Sequence, residues 1–276
     1  MKLEDNLLSS FNLGIMQGRL IDPPGNQLDW FPNDNWRDEF FLAKKSKFDF
    51  IELVAEKVYN KENPIWSIEG RNEILRLIEE NNLNSSYLCF NYMMNNSILE
   101  ISAISQLTTV FEICVHLKIK NVVLPYFDKS EILEKNIEEH IKRLNNIAHS
   151  AFINNIILHL ETNLSGSKLL NLVKDINYKN TYILVDTGNY FHNNFDIISD
   201  IKLFKNFIGH MHIKDKDIEG NNVLLGSGGV DFLSVFKALN QTSYNGNYTF
   251  ETTRGSKALL TSKFNRFFFE YYYSNI

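Results

Sequence analysis

The chain of 276 residues carries 28 Lys and Arg against 33 Asp and Glu, a formal net charge of -5, and 44% hydrophobic residues. This composition excludes a disordered or fibrous chain, and the acidic balance disfavours general binding to nucleic acid. The N-terminus lacks the apolar stretch of a secretion signal, and no segment is typical of a membrane span. We therefore expect a soluble, cytoplasmic protein that binds neither nucleic acid nor membranes.

Short apolar runs alternate along the chain with longer amphipathic segments. The runs predict strands near 11–16, 48–54, 84–90, 120–126, 155–161, 181–186, 207–212 and 247–251. The segments predict helices near 36–46, 70–81, 99–117, 131–153, 166–176, 196–205 and 231–240, and a last one from about residue 255 onward. Ser130 is expected to cap the fourth helix, and the pairs Asn81-Asn82 and Asn154-Asn155 are expected to end helices.

This alternation predicts parallel strands joined by right-handed helical crossovers, either closed as a (β/α)8 barrel or open and doubly wound. Eight units in 276 residues favour closure, since such a barrel takes roughly 250 residues. An open sheet would usually carry a glycine-rich phosphate loop after its first strand, and Met16-Gln17-Gly18-Arg19-Leu20 lacks that spacing. We expect an α/β fold, a single TIM barrel domain over residues 1–276.

Predicted strands five to eight each end in a residue type that binds metals: Glu161, Asp186, His212 and Glu251. Because the carboxyl ends of parallel strands meet at one edge, three carboxylates and an imidazole could hold one divalent cation there. This oxygen-rich set suits Mn²⁺, Mg²⁺ or Co²⁺ better than a structural zinc ion. We expect Mn²⁺, with Zn²⁺ as a further alternative. His210 is expected to face away from the site, on the other side of its strand.

Other polar residues follow the strand ends. Lys214, Arg254 and Arg19 come after strands seven, eight and one, so each is a candidate contact for a phosphate or carboxylate of a substrate. Glu52, at the predicted end of strand two, is a candidate substrate contact. The glycine-rich loop 226–229 either offers backbone N–H groups to a phosphate or forms an ordinary turn before a helix.

Six motifs carry a resemblance to a known family. Because of these motifs, the chain resembles the sugar phosphate isomerase/epimerase family, also called the xylose isomerase-like TIM barrel superfamily. The resemblance covers nearly the whole length of the chain. The motifs are Gly14-Ile15-Met16-Gln17-Gly18-Arg19-Leu20, Leu160-Glu161-Thr162, Asp186-Thr187-Gly188-Asn189, His212-Ile213-Lys214-Asp215, the loop from Gly226 to Phe232, and Phe250-Glu251-Thr252.

The resemblance implies one metal ion bound by Glu161, Asp186, His212 and Glu251, with the two glutamates as the acid/base pair. A cation on adjacent substrate oxygens would stabilise an enediolate, while one carboxylate takes a proton and the other returns it. The implied activity is a divalent-metal-dependent isomerase or epimerase of a small sugar or sugar phosphate. The order in which the two glutamates act stays open.

The chain departs from the family's pattern at Asn189. In relatives a histidine at this place often contacts the substrate; asparagine can still donate a hydrogen bond, but it cannot carry a proton. We keep Asn189 as a substrate contact. The extra histidines of the related apurinic-site endonuclease, which uses three zinc ions, are missing near strands two and four, so a three-metal nuclease site is disfavoured.

Two alternative functions stay open. One is a metal-dependent dehydratase of an inosose or dehydroshikimate type, because enolisation also precedes the loss of water. The other, from a different class, is a non-catalytic sugar-binding barrel. The aromatic C-terminal segment 267–273 is either a subunit contact in a homo-oligomer or the last helix packing on the barrel.

Overall fold

The computed structural model describes residues 12–25, 28, 30–84, 87–242 and 244–276. Eight strands in this part of the chain form a closed barrel, in which β1 lies between β2 and β8 and every other strand lies beside its neighbours in sequence. Paired strands run parallel. The strands are β1 (Leu13–Met16), β2 (Phe50–Ala55), β3 (Tyr87–Phe90), β4 (Asn121–Tyr126), β5 (Ile157–Thr162), β6 (Thr181–Asp186), β7 (Ile208–Ile213) and β8 (Asn247–Phe250).

A long helix follows each strand, which confirms the predicted (β/α)8 TIM barrel. The helices are α1 (Asp38–Lys45), α2 (Ile68–Glu80), α3 (Ile101–Leu117), α4 (Ile137–Ile153), α5 (Gly166–Asp175), α6 (Ile197–Phe204), α7 (Phe232–Gln241) and α8 (Ala258–Tyr273). Short helices at Tyr92–Asn95 and Thr187–His192 and a two-stranded hairpin, Asp215–Lys216 with Asn222–Val223, were not predicted. Each is too short for a periodic pattern to reveal.

The predicted cap of the fourth helix is wrong. That helix begins at Ile137, and Ser130 lies before it at the end of a 3-10 turn. The Ser130 hydroxyl donates to the Met93 carbonyl at 2.7 Å and accepts the Ile98 N–H at 3.1 Å. A buried serine thus joins two distant loops, and these partners could not be read from the local pattern.

Two asparagines end helices as expected. Asn82 follows α2 with φ 55°, and Asn155 follows α4 with φ 56°. Both conformations are left-handed, which asparagine tolerates better than most residues with a side chain. The chain can therefore leave each helix and enter the next strand within a few residues.

By its contacts the chain divides into two compact units, residues 1–50 with 185–276 and residues 51–184. In the first unit, the ring of Phe250 from β8 packs edge-on against Phe48 at 5.4 Å and against Phe269 of α8 at 5.5 Å between centroids. In the second unit, β4 pairs with β5 along its whole length, from Asn121 beside Ile157 to Tyr126 beside Thr162. Val123, Leu124 and Leu160 of these two strands are fully buried, so each unit contains buried apolar side chains.

Among the described residues, no helix combines the length and the apolar character that crossing a membrane requires.

Candidate metal centre

Asp186 is both the last residue of β6 and the N-cap of the short helix Thr187–His192. Its Oδ1 atom accepts the backbone N–H of Asn189 at 2.7 Å. One carboxylate oxygen is thus committed to the helix start, which fixes the orientation of the other. A nearly fully buried Asp186 presents Oδ2 in a defined direction.

His212 and Glu251 meet that oxygen from the next two strands of the barrel. His212 lies in β7 and is fully buried, and its Nδ1 atom is 3.2 Å from Glu251 Oε2 and 3.9 Å from Asp186 Oδ2. Glu251 follows β8 directly, where its backbone N–H donates to the Ile213 carbonyl at 3.1 Å. One oxygen of each carboxylate and one ring nitrogen of the histidine lie within 4.8 Å of one another. These side chains form a candidate metal site.

The ammonium of Lys214 lies against both carboxylates. Its Nζ atom is 3.0 Å from Asp186 Oδ2 and 2.9 Å from Glu251 Oε2, and the side chain is only 6% exposed. Thr187 holds the backbone of Lys214 from both sides, since its hydroxyl donates to the Lys214 carbonyl at 2.6 Å and accepts the Lys214 N–H at 2.9 Å. The lysine stem passes over Gly188, where an added Cβ would lie 3.0 Å from the lysine Cγ. Thr187 and Gly188 therefore place the ammonium.

The surrounding charges decide the protonation of Glu251. Burial favours the neutral acid, but the ammonium of Lys214, the hydrogen bond from His212 and the guanidinium of Arg19 outweigh it. Together these contacts hold the pKa of Glu251 well below its usual range. At neutral pH Glu251 is a carboxylate, the form that binds a cation or accepts a proton.

Both candidate arginines hold the loop after β1. Arg254 donates to the carbonyls of Gly18, Leu28 at 2.9 Å and Trp30 at 3.4 Å. Arg19 also donates to the Leu28 carbonyl, and its Nη2 atom lies 3.7 Å from Glu251 Oε1. The arginines therefore fix the loop after β1, and Arg19 adds positive charge beside Glu251. A contact of either arginine with a substrate stays a prediction.

Glu39, in the first turn of α1, was not predicted to matter. Its carboxylate accepts the backbone N–H of Gly18 at 2.7 and 2.9 Å and that of Leu20 at 3.3 Å. Burial raises the pKa of Glu39 to about 7, although these hydrogen bonds and the arginines nearby lower it. An acid on the buried face of an amphipathic helix is the only sequence signal that could have indicated this position.

The glycine-rich loop after β7 is organised by a buried carboxylate. Asp215 accepts the N–H groups of Gly226 and Gly228, both at 2.9 Å, and that of Val230 at 3.2 Å. The N–H of Gly229 donates to the Lys216 carbonyl at 2.9 Å. These N–H groups are bonded within the protein, which favours the ordinary turn over the phosphate cradle, the two alternatives for this loop.

The remaining candidate residues have different surroundings. Glu161 is buried near the end of β5, the strand that pairs with β6. Glu52 is fully buried within β2, which continues to Ala55, so it lies inside the strand and not at its end as expected. Asn189 lies in the first turn of the helix that Asp186 caps. The part played by each of them stays a prediction.

The orientation expected for His210 is wrong. Its ring lies 5.3 Å from that of His212, centroid to centroid, and its Nε2 atom is 3.0 Å from Thr249 Oγ1. Residues two apart in a strand point to the same face, so His210 must lie beside His212, one step deeper in the barrel. There it is a buried, hydrogen-bonded partner of β8.

The donor set fits a divalent cation. Two carboxylates and an imidazole supply oxygen and nitrogen ligands without a thiolate, and the second oxygen of Asp186 is already occupied by a backbone N–H. Both described cysteines, Cys89 and Cys114, are buried and lie on other elements. Such a set suits Mn²⁺, Mg²⁺, Co²⁺ or a catalytic Zn²⁺.

Comparison with known proteins agrees with this architecture. The sequence model of a family described as xylose isomerase-like TIM barrel matches residues 40–265. A probable L-ribulose-5-phosphate 3-epimerase of Mycoplasma pneumoniae is 25% identical over 226 residues, which are 75% of this chain and 72% of that protein.

Two solved structures share the fold. The D-allulose 3-epimerase from Methylomonas sp. is 18% identical with a TM-score of 0.73, covering 95% of this chain and 98% of that one. The IolI protein, crystallised with a zinc atom, is 15% identical with a TM-score of 0.75, covering 96% and 99%. At this level of identity the two structures support the barrel and nothing finer.

Proposed function

Since the chain belongs to the xylose isomerase-like TIM barrel family, we propose that it is a divalent-metal-dependent isomerase or epimerase of a small sugar or sugar phosphate. The observation that carries this proposal is the convergence of Asp186, His212 and Glu251, whose ligand atoms lie within 4.8 Å of one another at the ends of successive strands. The curated relative, named as a probable 3-epimerase of L-ribulose 5-phosphate, supports the choice of substrate class.

Asp186, His212 and Glu251 would hold the cation, and we propose Glu161 as its fourth ligand. The support for Glu161 is its place near the end of β5, the strand beside β6, because neighbouring parallel strands end at the same edge of a barrel. When bound, a divalent cation polarises a substrate carbonyl and stabilises the negative charge that develops on it. Manganese is our expected ion.

The protein's own groups perform the proton transfer in this proposal. Glu251 is ionised at neutral pH, so it can accept the proton of a carbon next to the carbonyl. Glu161, from the other side of the substrate, returns a proton to that carbon in epimerisation or to its neighbour in isomerisation. Lys214, which contacts two carboxylates, would turn to a substrate oxygen once a cation takes over their charge.

A polar cavity beside the end of β8 suits the distal part of a substrate. Its volume is about 440 Å³, and its polar lining side chains are Asp22, Thr253, Arg254, Ser256 and Lys257. Lys257 and Asp22 form an ion pair of 3.8 Å, so the cavity holds both charges. We propose that this cavity receives the hydroxyls or the phosphate of the sugar, with Arg254 at its wall.

We also propose that the 276 residues form one catalytic domain. Both boundaries between the compact units fall inside barrel strands, between Phe50 and Ile51 in β2 and between Leu184 and Val185 in β6. A domain boundary is expected in an exposed linker instead.

Solvent exchange tests the activity directly. The protein is loaded with Mn²⁺ or Mg²⁺ and incubated in D₂O with a panel of ketoses and ketose 5-phosphates, including D-allulose and L-ribulose 5-phosphate. We expect the proton on the carbon next to the carbonyl of one sugar to disappear from the NMR spectrum, with mass conserved apart from deuterium. Loss of water from the product would indicate the dehydratase alternative. No exchange with any sugar would contradict the proposal.

Two variants distinguish the roles of the glutamates. With one glutamate removed, a two-base enzyme still exchanges the proton that faces the other glutamate. We expect Glu161→Gln and Glu251→Gln each to lower kcat by roughly 10²- to 10⁴-fold. Each variant should still exchange the substrate proton of one of the two epimers, and the epimer that exchanges should differ between the two variants. Metal content is measured in both variants. Full catalytic activity in both would contradict these roles, whereas full cellular function in both without catalysis would support the sugar-binding barrel.

A further inference from the structure

The outward face of α8 is apolar. Four large side chains on this helix, Leu260, Phe264, Phe267 and Tyr271, are between 46% and 67% exposed. They recur at intervals of four, three and four residues, which places them in one stripe along the helix. Lys263 is the one charged residue among the exposed positions of Ala258–Tyr273. Water-facing helix positions are normally polar or charged.

The inward face of the same helix is already packed. Phe269 contacts Phe236 at 4.9 Å and Tyr248 at 5.0 Å between ring centroids, and Tyr273 contacts Phe236 at 5.4 Å. These rings attach α8 to α7 and β8. The aromatic C-terminal segment therefore divides: Phe269 and Tyr273 pack on the barrel, and Phe267 and Tyr271 lie on the outer stripe.

The stripe is symmetric about its own centre, between residues 265 and 266. If two copies of α8 cross antiparallel about a two-fold axis at this point, Leu260 meets Tyr271 of the second copy and Phe264 meets Phe267 of the second copy. A two-fold interface requires such a self-complementary surface. Spacings of four and three residues are also those at which the side chains of paired helices interlock.

The charges beside the stripe agree with this pairing. Lys263 and Glu270 are two helical turns apart and lie on the same flank of the stripe. The antiparallel arrangement brings Lys263 of one copy beside Glu270 of the other, twice in the dimer. Within one copy Glu270 already accepts a hydrogen bond from Arg266 Nε at 2.6 Å, which holds the carboxylate at the edge of the stripe.

From these observations we propose that α8 is the interface of a two-fold symmetric homodimer, in which the stripe Leu260, Phe264, Phe267 and Tyr271 packs antiparallel on the same stripe of a second copy. The four exposed side chains amount to roughly 450 Å² of surface on each copy. That is more than half of the roughly 800 Å² that each partner buries in an interface of standard size. The flanking residues would supply the rest. This inference does not depend on the proposed function.

Sedimentation velocity of the full chain between 1 and 100 µM tests the interface, with concentrations chosen to span a micromolar Kd. We expect the wild-type chain to sediment as a dimer at the upper end. Phe267→Glu is expected to sediment as a monomer throughout, a loss of at least about 100-fold in dimer affinity. At a concentration low enough for wild type to be monomeric as well, the thermal unfolding of the variant should match that of wild type, because Phe267 is 66% exposed. Phe152→Glu, on the outer face of α4, is the matched control and should leave the dimer intact.

A charge exchange tests the antiparallel register. Lys263→Glu alone places two like charges together and should weaken the dimer by roughly tenfold, and adding Glu270→Lys should restore it. A monomeric wild-type chain at 100 µM, a dimer that survives Phe267→Glu, or no rescue by the double variant would each overturn the proposal. A monomer that instead co-sediments with lipid vesicles through Phe267 would assign the stripe to a membrane surface and would also overturn it.

Discussion

At the scale of single residues, Lys214 determines the charge of the candidate centre. Its ammonium lies about 3 Å from oxygens of both Asp186 and Glu251, among side chains with little access to water. Removing one partner of a buried ion pair leaves the other charge buried without compensation. The ammonium must move away from these oxygens when a cation binds, since two positive charges would otherwise compete for them. Lys214 therefore couples the stability of the protein to its metal content.

Lys214→Met keeps the length of the side chain but removes its charge. In metal-free protein we expect the free energy of unfolding to fall by about 3 kcal/mol, measured by urea denaturation in the presence of EDTA. Saturating Mn²⁺ should recover most of this loss, because the cation then neutralises Asp186 and Glu251. Lys202→Met, at an exposed position of α6, is the control and should change stability little. Equal stability of both variants in EDTA would contradict the role of Lys214.

Glu39 makes the stability of the protein depend on pH. Its pKa is raised by burial from 4.5 in the unfolded chain to about 7 in the folded protein. Between these values the folded state binds more protons than the unfolded state, so stability declines as the pH rises from about 4.5 to 7. The full shift corresponds to about 3 kcal/mol.

Urea denaturation at pH 5, 6, 7 and 8 checks this dependence. The stability of wild type minus that of Glu39→Gln should decrease by about 2.5 kcal/mol from pH 5 to pH 8. Glu112→Gln, on the exposed side of α3, is the matched control. A difference for Glu39→Gln that stays constant, or that increases with pH, would show that Glu39 is ionised in the folded protein.

At the scale of elements, the loops after the strands depend on buried polar side chains that join distant segments. Thr187 ties the end of β6 to the end of β7 through the backbone of Lys214. Asp215 holds the loop of residues 226–230 by three backbone N–H groups. Such loops carry function because the rigid barrel positions them and their own hydrogen bonds keep them in one conformation.

Asp215→Ala removes all three acceptor contacts of that loop. We expect a loss of roughly 2 to 4 kcal/mol in the free energy of unfolding, with faster hydrogen exchange at the amides of Gly226, Gly228 and Val230. Asp217→Asn, on the exposed turn of the neighbouring hairpin, should leave exchange of these amides unchanged. Protection of the loop in Asp215→Ala would show that other contacts hold it.

At the scale of the whole molecule, the proposed cation would connect Asp186, His212 and Glu251, which come from β6, β7 and the end of β8. A ligand that binds only the folded protein stabilises it, by about 2.7 kcal/mol at 100 times its Kd. For a chain of this size we expect saturating Mn²⁺ to raise Tm by roughly 5 to 10 °C, measured by calorimetry against an EDTA-treated sample. His212→Gln should lose this increase. No increase in wild type with any divalent cation would contradict the metal site.

The family and the barrel could be predicted from the sequence because their signals are local and repeated. Eight apolar runs separated by amphipathic segments indicate one topology, and strand ends such as Asp186 and His212 carry their chemistry in the residue type. Helix starts set by distant partners could not be read in this way. Ser130 is an N-cap by local pattern, yet its hydroxyl bonds to Met93 and Ile98.

The sequence by itself determined the eight barrel strands, the long helices that follow them and the residue types near the ends of β5 to β8, since period and composition follow from whether each position is buried or exposed. Only the tertiary structure decided what those end residues contact. In the folded protein Lys214 contacts Asp186 and Glu251. Arg254 donates to backbone carbonyls, and His210 lies beside His212. The physical reason is that hydrogen bonds and ion pairs depend on distances of about 3 Å between residues far apart in sequence, and these distances exist only after the barrel has closed.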